Sequence, residues 1–296
     1  MIRSGQDKAY TVVAHVVMIL LTVAAIAPFW LLVASSLTEG TALTRNGYSF
    51  FPKAFSLEAY RYIFMQWNVI GRAYGVTILV TVAGTVTSLF LSSSLGFSLA
   101  QKDIPGAKII MFLVFFTMLF SGGIVASYIM YSNILQIKNT VFALLVPNLL
   151  LNGFTVVLVR NYFQQNVPPE LMEAAEIDGA GTFRIYVQIG LPMAKPILAT
   201  VGLLGAVGYW NDWTNGLYFV TDPKLFSIQL LLNEINNNIQ FFAKQSSAML
   251  GGSVADLPSI SMRMAIAAVA IVPIIVAYPF FQKHFAQGIA LGGVKG

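Results

Sequence analysis

The sequence is short of charge. Of its 296 residues, 17 are Lys or Arg and 12 are Asp or Glu, so only 10% are charged, against roughly a quarter in a soluble domain. Too little polar surface is left to cover a water-soluble globule of this size. That excludes a soluble enzyme, a nucleic-acid-binding domain and a disordered tail. Cysteine is absent, which excludes a disulfide framework, thiol catalysis and a cysteine-ligated metal. The two histidines, His15 and His284, stand far apart, so no multi-histidine metal site is expected. No Ser/His/Asp set or paired carboxylates stand out, and there is no internal repeat or low-complexity tract. A G-x-x-x-x-G-K-[ST] phosphate loop is also missing, so the chain is not expected to bind ATP or any other cofactor itself.

What remains is apolar. Hydrophobic residues make up 57% of the chain and mean hydropathy is +0.74. Windows 9–38, 73–101, 109–137, 139–159 and 264–282 contain no Asp, Glu, Lys or Arg, and window 196–221 contains only Asp212. Each is long enough to cross about 30 Å of hydrocarbon at about 1.5 Å per helical residue. Continuous apolarity predicts helices, because barrel strands would alternate over about ten residues. The fold class is therefore an all-α integral membrane protein, one domain over 1–296, with six transmembrane helices. The spans fall at about 12–37, 73–100, 109–131, 140–160, 196–220 and 264–283. The first window begins like a secretory signal, with Arg3, Lys8 and an Ala25-Ile26-Ala27 tripeptide. Its apolar run continues past that point, so it reads as an uncleaved span. Six spans place both termini on one side. Charge does not choose the side: nine of the 17 basic residues would lie with the termini and eight opposite.

Several local features carry structure. Ser56 is placed to cap a helix with Glu58 in its first turn. The second span holds Thr77, Thr81, Thr85, Ser88, Ser92 and Ser94. They serve either helix packing or a polar path. Gly202, Gly205 and Gly208 form a ridge for close helix approach. Pro147, Pro273 and Pro279 are expected to kink their helices. Phe120-Ser121-Gly122-Gly123 reads as a flexible or close-packed helix point.

The most informative stretch is the loop over 161–195. Pro168-Pro169 suits the opening of a helix. Glu170, Glu173 and Glu176 then form an acidic face near its N-terminus. Ala174 and Ala175 leave room for a partner, Gly179 and Gly181 break the helix, and a second short helix follows over about 182–189, ending at Pro192. Glu173-Ala174-Ala175, Gly179, Ile189 and Leu191-Pro192 are seven positions in twenty residues. Together they resemble the EAA loop of ATP-binding-cassette (ABC) importer permeases, E-A-A-x3-G-x9-I-x-L-P, with every spacing kept. Ser56-Leu57-Glu58-Ala59-Tyr60, Trp210-Asn211-Asp212-Trp213 and the terminal Gly292-Gly293-Val294-Lys295-Gly296 resemble the sugar-importer, maltose-type branch, and most closely its permeases for complex oligosaccharides of the pectin or alginate type.

That resemblance implies a permease subunit, not an enzyme, in a bacterial or archaeal cell membrane, importing a sugar or oligosaccharide. The loop, through Glu173, Ala174, Ala175, Asp178, Gly179, Ile189, Leu191 and Pro192, is the ATPase-coupling element. This puts the loop and both termini in the cytoplasm. The implied partners are a second permease subunit in a heterodimer, two cytoplasmic ATPase subunits carrying ATP and Mg, an extracellular binding protein, the sugar and the lipid bilayer, with no nucleic acid. The tail over 284–296 would reach toward the ATPases.

For the substrate path, Asp212 is an ionisable group within a span and so a candidate. Tyr209, Trp210, Asn211 and Trp213 supply aromatic faces and amides suited to a sugar. The alternative is an interfacial belt with Asp212 as a cap. Asn148 and Asn152 are further path candidates, and Tyr128 and Tyr131 weaker ones still, with an interfacial or packing role as the alternative. In the outer loop 222–263, Ile228, Leu231, Leu232, Ile235, Ile239 and Phe242 fall at helical spacing. This helix either faces the binding protein or packs as a lid on its own spans. External Arg45, Lys53, Arg61, Arg72, Lys224, Lys244 and Arg263 favour anionic sugars, although external acids partly cancel them. Competing readings are a permease for a non-sugar solute, an ion-coupled secondary transporter, which would need several ionisable groups at the midplane, and a membrane-embedded enzyme, which would need clustered His, Asp or Glu.

Overall fold

The structure, a computed structural model, describes residues 5–101, 104–237 and 260–293. These are helical apart from loops and one isolated bridge, Thr38 to Phe55. Contacts divide the chain into two compact units, Met1–Asn68 with Leu232–Val272, and Val69–Leu231 with Pro273–Gly296.

In the first unit, α1 (Gly5–Ser36) is uncharged from Tyr10 to Ser36 and long enough there to cross a membrane. Its apolar side chains stay exposed along most of that length, as a lipid-facing helix requires. The following loop closes on itself. Glu39 N–H donates to Ala54 O (2.9 Å), Ser56 N–H donates to Leu37 O (2.9 Å), and the Ser36 and Tyr60 hydroxyls meet at 2.8 Å. α2 (Gly40–Asn46) and α3 (Glu58–Met65) are short. As the sequence predicts, Ser56 Oγ accepts the Glu58 N–H (3.2 Å) at the start of α3, and Ala59 and Ile63 are its buried face. Arg263 donates to Asn236 Oδ1 (3.0 Å) in this same unit.

The second unit is built on α4 (Trp67–Ala100), also long enough to cross a membrane. The third window is not one straight helix. α5 (Ala107–Leu119) and α6 (Gly123–Ile129), with the π turn Met130–Ile134 after it, meet at 120°. Gly123 takes φ 75° at the break, a left-handed conformation open to glycine. The fourth window is divided into α7 (Phe142–Leu145) and α8 (Gly153–Asn166). Pro147 stops α7 instead of kinking a continuous helix, Asn148 turns the chain at φ 62°, and Asn152 Oδ1 restarts it by accepting Phe154 N–H (2.9 Å) and Thr155 N–H (3.3 Å).

Beyond α8 come α9 (Pro169–Ile177), α10 (Thr182–Ile185), the π turn Tyr186–Gly190, α11 (Leu191–Met193) and α12 (Lys195–Asn211). The helix from Thr182 continues past Pro192 to Met193 and then bends by 81° into α12. Pro196 sits within the first turn of α12, where a missing N–H costs nothing, and Pro192 follows the π turn without ending its helix. α12 ends at Asn211, before the end of its window, and α13 (Thr214–Phe219) and α14 (228–237) follow. α15 (Ile260–Gly293) is assigned as helix through Pro273 and Pro279.

Two apolar clusters hold this unit. One gathers Phe97, Val159, Phe163, Val167, Ile185, Tyr186, Ala194 and Val201. The other gathers Val80, Ala143, Leu144, Tyr209, Phe219 and Val220. In lipid, close packing rather than release of water drives helix association, and small residues permit it here. Tyr209 packs against Gly84, leaving no room for a Cβ there, and Gly202 lies against Leu89.

Candidate functional site: an exposed helical loop and a polar cavity

The loop after α8 is a helix, a tight turn and a second helix. Pro168 is extended and Pro169 opens α9. Glu170, in the first turn, suits the positive end of the helix dipole. The spacing from Ala175 to Gly179 has a physical cause. Gly179 takes φ 81°, its N–H donates to Glu176 O (2.9 Å), and Ala180 N–H donates to Ala175 O (2.9 Å). This six-to-one, five-to-two pair is a Schellman closure, which needs a residue tolerant of the left-handed region four places after Ala175. Ala175 and Ala180 also pack on the cluster around Phe97.

Glu170, Glu173, Ala174, Glu176 and Asp178 are exposed. So are two apolar side chains, Ile177 at 87% and Phe183 at 71%. Large apolar groups at the tip of a charged loop make it a candidate contact surface. Beneath the tip, a cleft of about 600 Å³ lies between the ends of α4 and α8 and the loop helices, lined in part by Phe97, Gln101, Phe163, Met172, Glu173 and Glu176. Ile189 and Leu191 face the cluster, while Pro192 is exposed. Burial raises the Tyr162 hydroxyl pKa, and that hydroxyl donates to Met193 O (3.4 Å).

The structure separates the aromatic candidates. Tyr209 and Trp210 are buried, and Tyr209 spends its hydroxyl on Leu145 O (2.9 Å). Asn211 and Trp213 are exposed. Asp212 Oδ1 accepts Thr214 N–H (3.1 Å) and Asn215 N–H (3.2 Å), which makes it the cap of α13. Asn215 in turn donates to Pro147 O (2.9 Å).

Asn148 and Asn152 do come together. They line a cavity of about 190 Å³ with Thr85 and Ser88 of α4, Thr155 of α8 and Gly205 and Gly208 of α12. Thr85 Oγ1 is buried there without a hydrogen-bond partner. Tyr209 to Trp213 do not line this cavity. Tyr128 and Tyr131 pack around Phe219, with ring centroids at 6.0 and 5.7 Å.

Sequence reading missed Asn139. At φ 58° it accepts Thr221 N–H (2.6 Å) and Asp222 N–H (3.2 Å) on one side-chain oxygen and donates to Thr221 Oγ1 (2.9 Å). Its sole signal was an asparagine in a turn, tolerant of the left-handed region. Of the outer-loop helix, Ile228 and Leu230 are buried, and Ile228 N–H donates to Thr77 Oγ1 (2.9 Å). Ile239, Phe242, Lys244 and the last residues of the tail, 294–296, lie outside the described residues. Among the described residues no group of His, Asp and Glu is placed to hold a metal ion.

Comparison with known proteins fits this layout. Residues 92–291 match the family described as binding-protein-dependent transport system inner membrane component. The polygalacturonan/rhamnogalacturonan transport system permease protein YtcP of Bacillus subtilis is 35% identical over 98% of this chain and 100% of its own length. Protein LplC of the same organism is 35% identical over 92% of this chain and 90% of its own. Among solved structures, a chain of a bacterial ABC transporter involved in the import of the acidic polysaccharide alginate superposes with a TM-score of 0.81 at 27% identity, covering 96% of this chain and 99% of that one. The chain belongs to the family of binding-protein-dependent transport system inner membrane components, the permease subunits of ABC importers.

Proposed function

We propose that this chain is one permease of a heterodimeric pair that imports an oligosaccharide, with acidic sugars of the pectin or alginate type as the preferred class. The relatives named for polygalacturonan and alginate support the substrate class. Two cytoplasmic ATPase subunits hold ATP and Mg, and an extracellular binding protein delivers the sugar. The chain spans the membrane six times, with both termini and the 161–195 loop in the cytoplasm.

The observation that carries the coupling role is the exposed tip. Ile177 and Phe183 stand clear of their own chain beside Glu173 and Asp178, as a knob must if it is to seat in another subunit. Closure of the ATPases on ATP pushes this knob. The two-helix loop, braced by its Schellman turn, carries the push into α8, α10 and α12. The spans then switch between inward and outward access, a two-state change biased by ligand. On the substrate side, Asn148 and Asn152 with Thr85 and Ser88 offer hydroxyls and amides at one level between helices. Exposed Trp213, with Asn211 beside it, offers a second, chiefly aromatic contact, since the Asn211 amide already donates to Val207 O (3.0 Å). Asp212 shapes this second contact by fixing the turn into α13.

The test is co-purification with candidate ATPase, permease and binding-protein subunits, followed by ATPase assays over a panel of neutral and acidic oligosaccharides. The expected result is ATPase stimulation that requires both the binding protein and an oligosaccharide. Uptake that follows a proton gradient without ATP would overturn the proposal.

A further inference from the structure

One hydrogen bond links the far end of the loop to α4 across 93 residues of sequence. The hydroxyls of Tyr186 and Ser93 meet at 2.6 Å, with Tyr186 4% and Ser93 2% exposed. Ser93 Oγ also lies 3.2 Å from Phe90 O, to which it donates. Its one proton is thereby used, so Tyr186 is the donor to Ser93. Buried away from water, such a bond is stronger than on a surface, and each hydroxyl is costly to leave unmade.

The Tyr186 ring continues the connection in the other direction. Its centroid is 6.3 Å from that of Phe183, the exposed ring of the loop tip, and 5.3 Å from that of Phe97 on α4. Phe97 packs edge-on to Phe163 of α8 at 5.3 Å. Gly190, at the other end of the π turn that Tyr186 opens, lies against Phe97, where a Cβ would come within 3.2 Å. Tyr186 therefore packs its ring near both Phe183 of the exposed tip and Phe97 of the core, and meets α4 with its hydroxyl. π turns within helices recur at functional positions, and this one begins at the residue that makes all three contacts.

We propose that Tyr186, through its hydrogen bond to Ser93, is the positioning residue that carries displacement of the loop tip into α4. This rests on the coupling role of the loop. Phe183 moves with the partner, the Tyr186 ring follows it, and the hydroxyl draws Ser93, two turns from the end of α4, along with it. Without the bond, the Tyr186 ring can slide over Phe97 while α4 stays in place.

The experiment uses the complete complex reconstituted in liposomes with its binding protein, and reads ATP hydrolysed per oligosaccharide imported. That ratio does not depend on how much complex has folded. Tyr186→Phe and Ser93→Ala are each expected to raise it several-fold, the double variant no further than either single one, because both remove the same bond. Ser93→Thr restores a hydroxyl and is expected to return the ratio toward wild type. A wild-type ratio in both Tyr186→Phe and Ser93→Ala, or effects that add in the double variant, would overturn the proposal. Gly179→Asp in the same preparation separates the two levels. If it couples normally, the coupling role of the loop fails. If it uncouples while Tyr186→Phe does not, only the relay through Tyr186 fails.

Discussion

Two regions of the second unit treat their polar groups in opposite ways. Around the junction of α12 and α13, three polar side chains are used internally: Asp212 caps α13, Asn215 holds Pro147, and Tyr209 holds Leu145. Asn139 ties the chain to Thr221 and Asp222. In the loop over 161–195, backbone groups close the turn, but Glu170, Glu173, Glu176 and Asp178 are exposed along with Ile177 and Phe183, and Glu173 and Glu176 also line the cleft. A group already satisfied within its own chain has little to offer another molecule. A charged, apolar tip held out by a rigid turn has much to offer. Asp212, just past the end of α12, is thus a fold-building residue, whereas the four acids of the loop are left exposed.

Changes at the loop should have the largest effect. A side chain at Gly179 must adopt φ 81°, at a cost of roughly 1–2 kcal/mol that is smaller for Asp or Asn, and a carboxylate there also sets a negative charge at the negative end of the α9 dipole. Gly179→Asp, Glu173→Lys or a bulky residue at Ala174 is expected to abolish uptake while ATP hydrolysis persists. Parallel transport and ATPase assays check this.

Filling the cavity comes next. A Cβ at Gly205 meets no atom within 4 Å, so Gly205→Leu enters the cavity beside Asn148 and Asn152 without breaking the helix. Uptake is expected to fall several-fold through a raised KM, with basal ATPase activity kept. Transport kinetics over a sugar concentration series decide it.

The Asn139 clasp is a matter of stability. Asn139→Gly keeps the left-handed backbone and deletes the hydrogen bonds, at an expected loss of about 2–3 kcal/mol. Asn139→Ala adds backbone strain to that loss. A thermal shift in detergent should order the three proteins as wild type, glycine, alanine. The smallest effect belongs to Asp212. Asp212→Asn keeps the capping oxygen and should keep uptake, while Asp212→Ala loses a cap worth about 1 kcal/mol. Loss of uptake in Asp212→Asn with an unchanged thermal midpoint would show that the charge itself meets the substrate, and would erase the contrast between the two regions.

Much of the loop was legible in the sequence because its signals are local. Pro169 opens a helix and Gly179 ends one, and each needs only its neighbours to do so. The same is true of Ser56 and Glu58 at the start of α3. Breaks within apolar windows were harder to see. Hydropathy does not register a 120° bend at Gly123, or Pro147 and Asn148 dividing a window, since the residues on both sides remain apolar. The Ser93–Tyr186 and Asn139–Thr221 contacts join residues more than 80 positions apart, and no spacing rule reaches that far. Asn148 and Asn152 were readable as a pair, but their meeting with Thr85 and Ser88 depends on how α4 packs.

The absence of cysteine makes a direct measurement possible. Ile177→Cys introduces one thiol into a chain that has none, at a position 87% exposed. Its rate of modification by a water-soluble maleimide can be followed with and without the ATPase subunits, with Asn211→Cys as the reference position. Marked protection of Cys at 177 in the assembled complex and an unchanged rate at 211 are expected. Equal rates at 177 with and without the ATPases would contradict the coupling role of the loop.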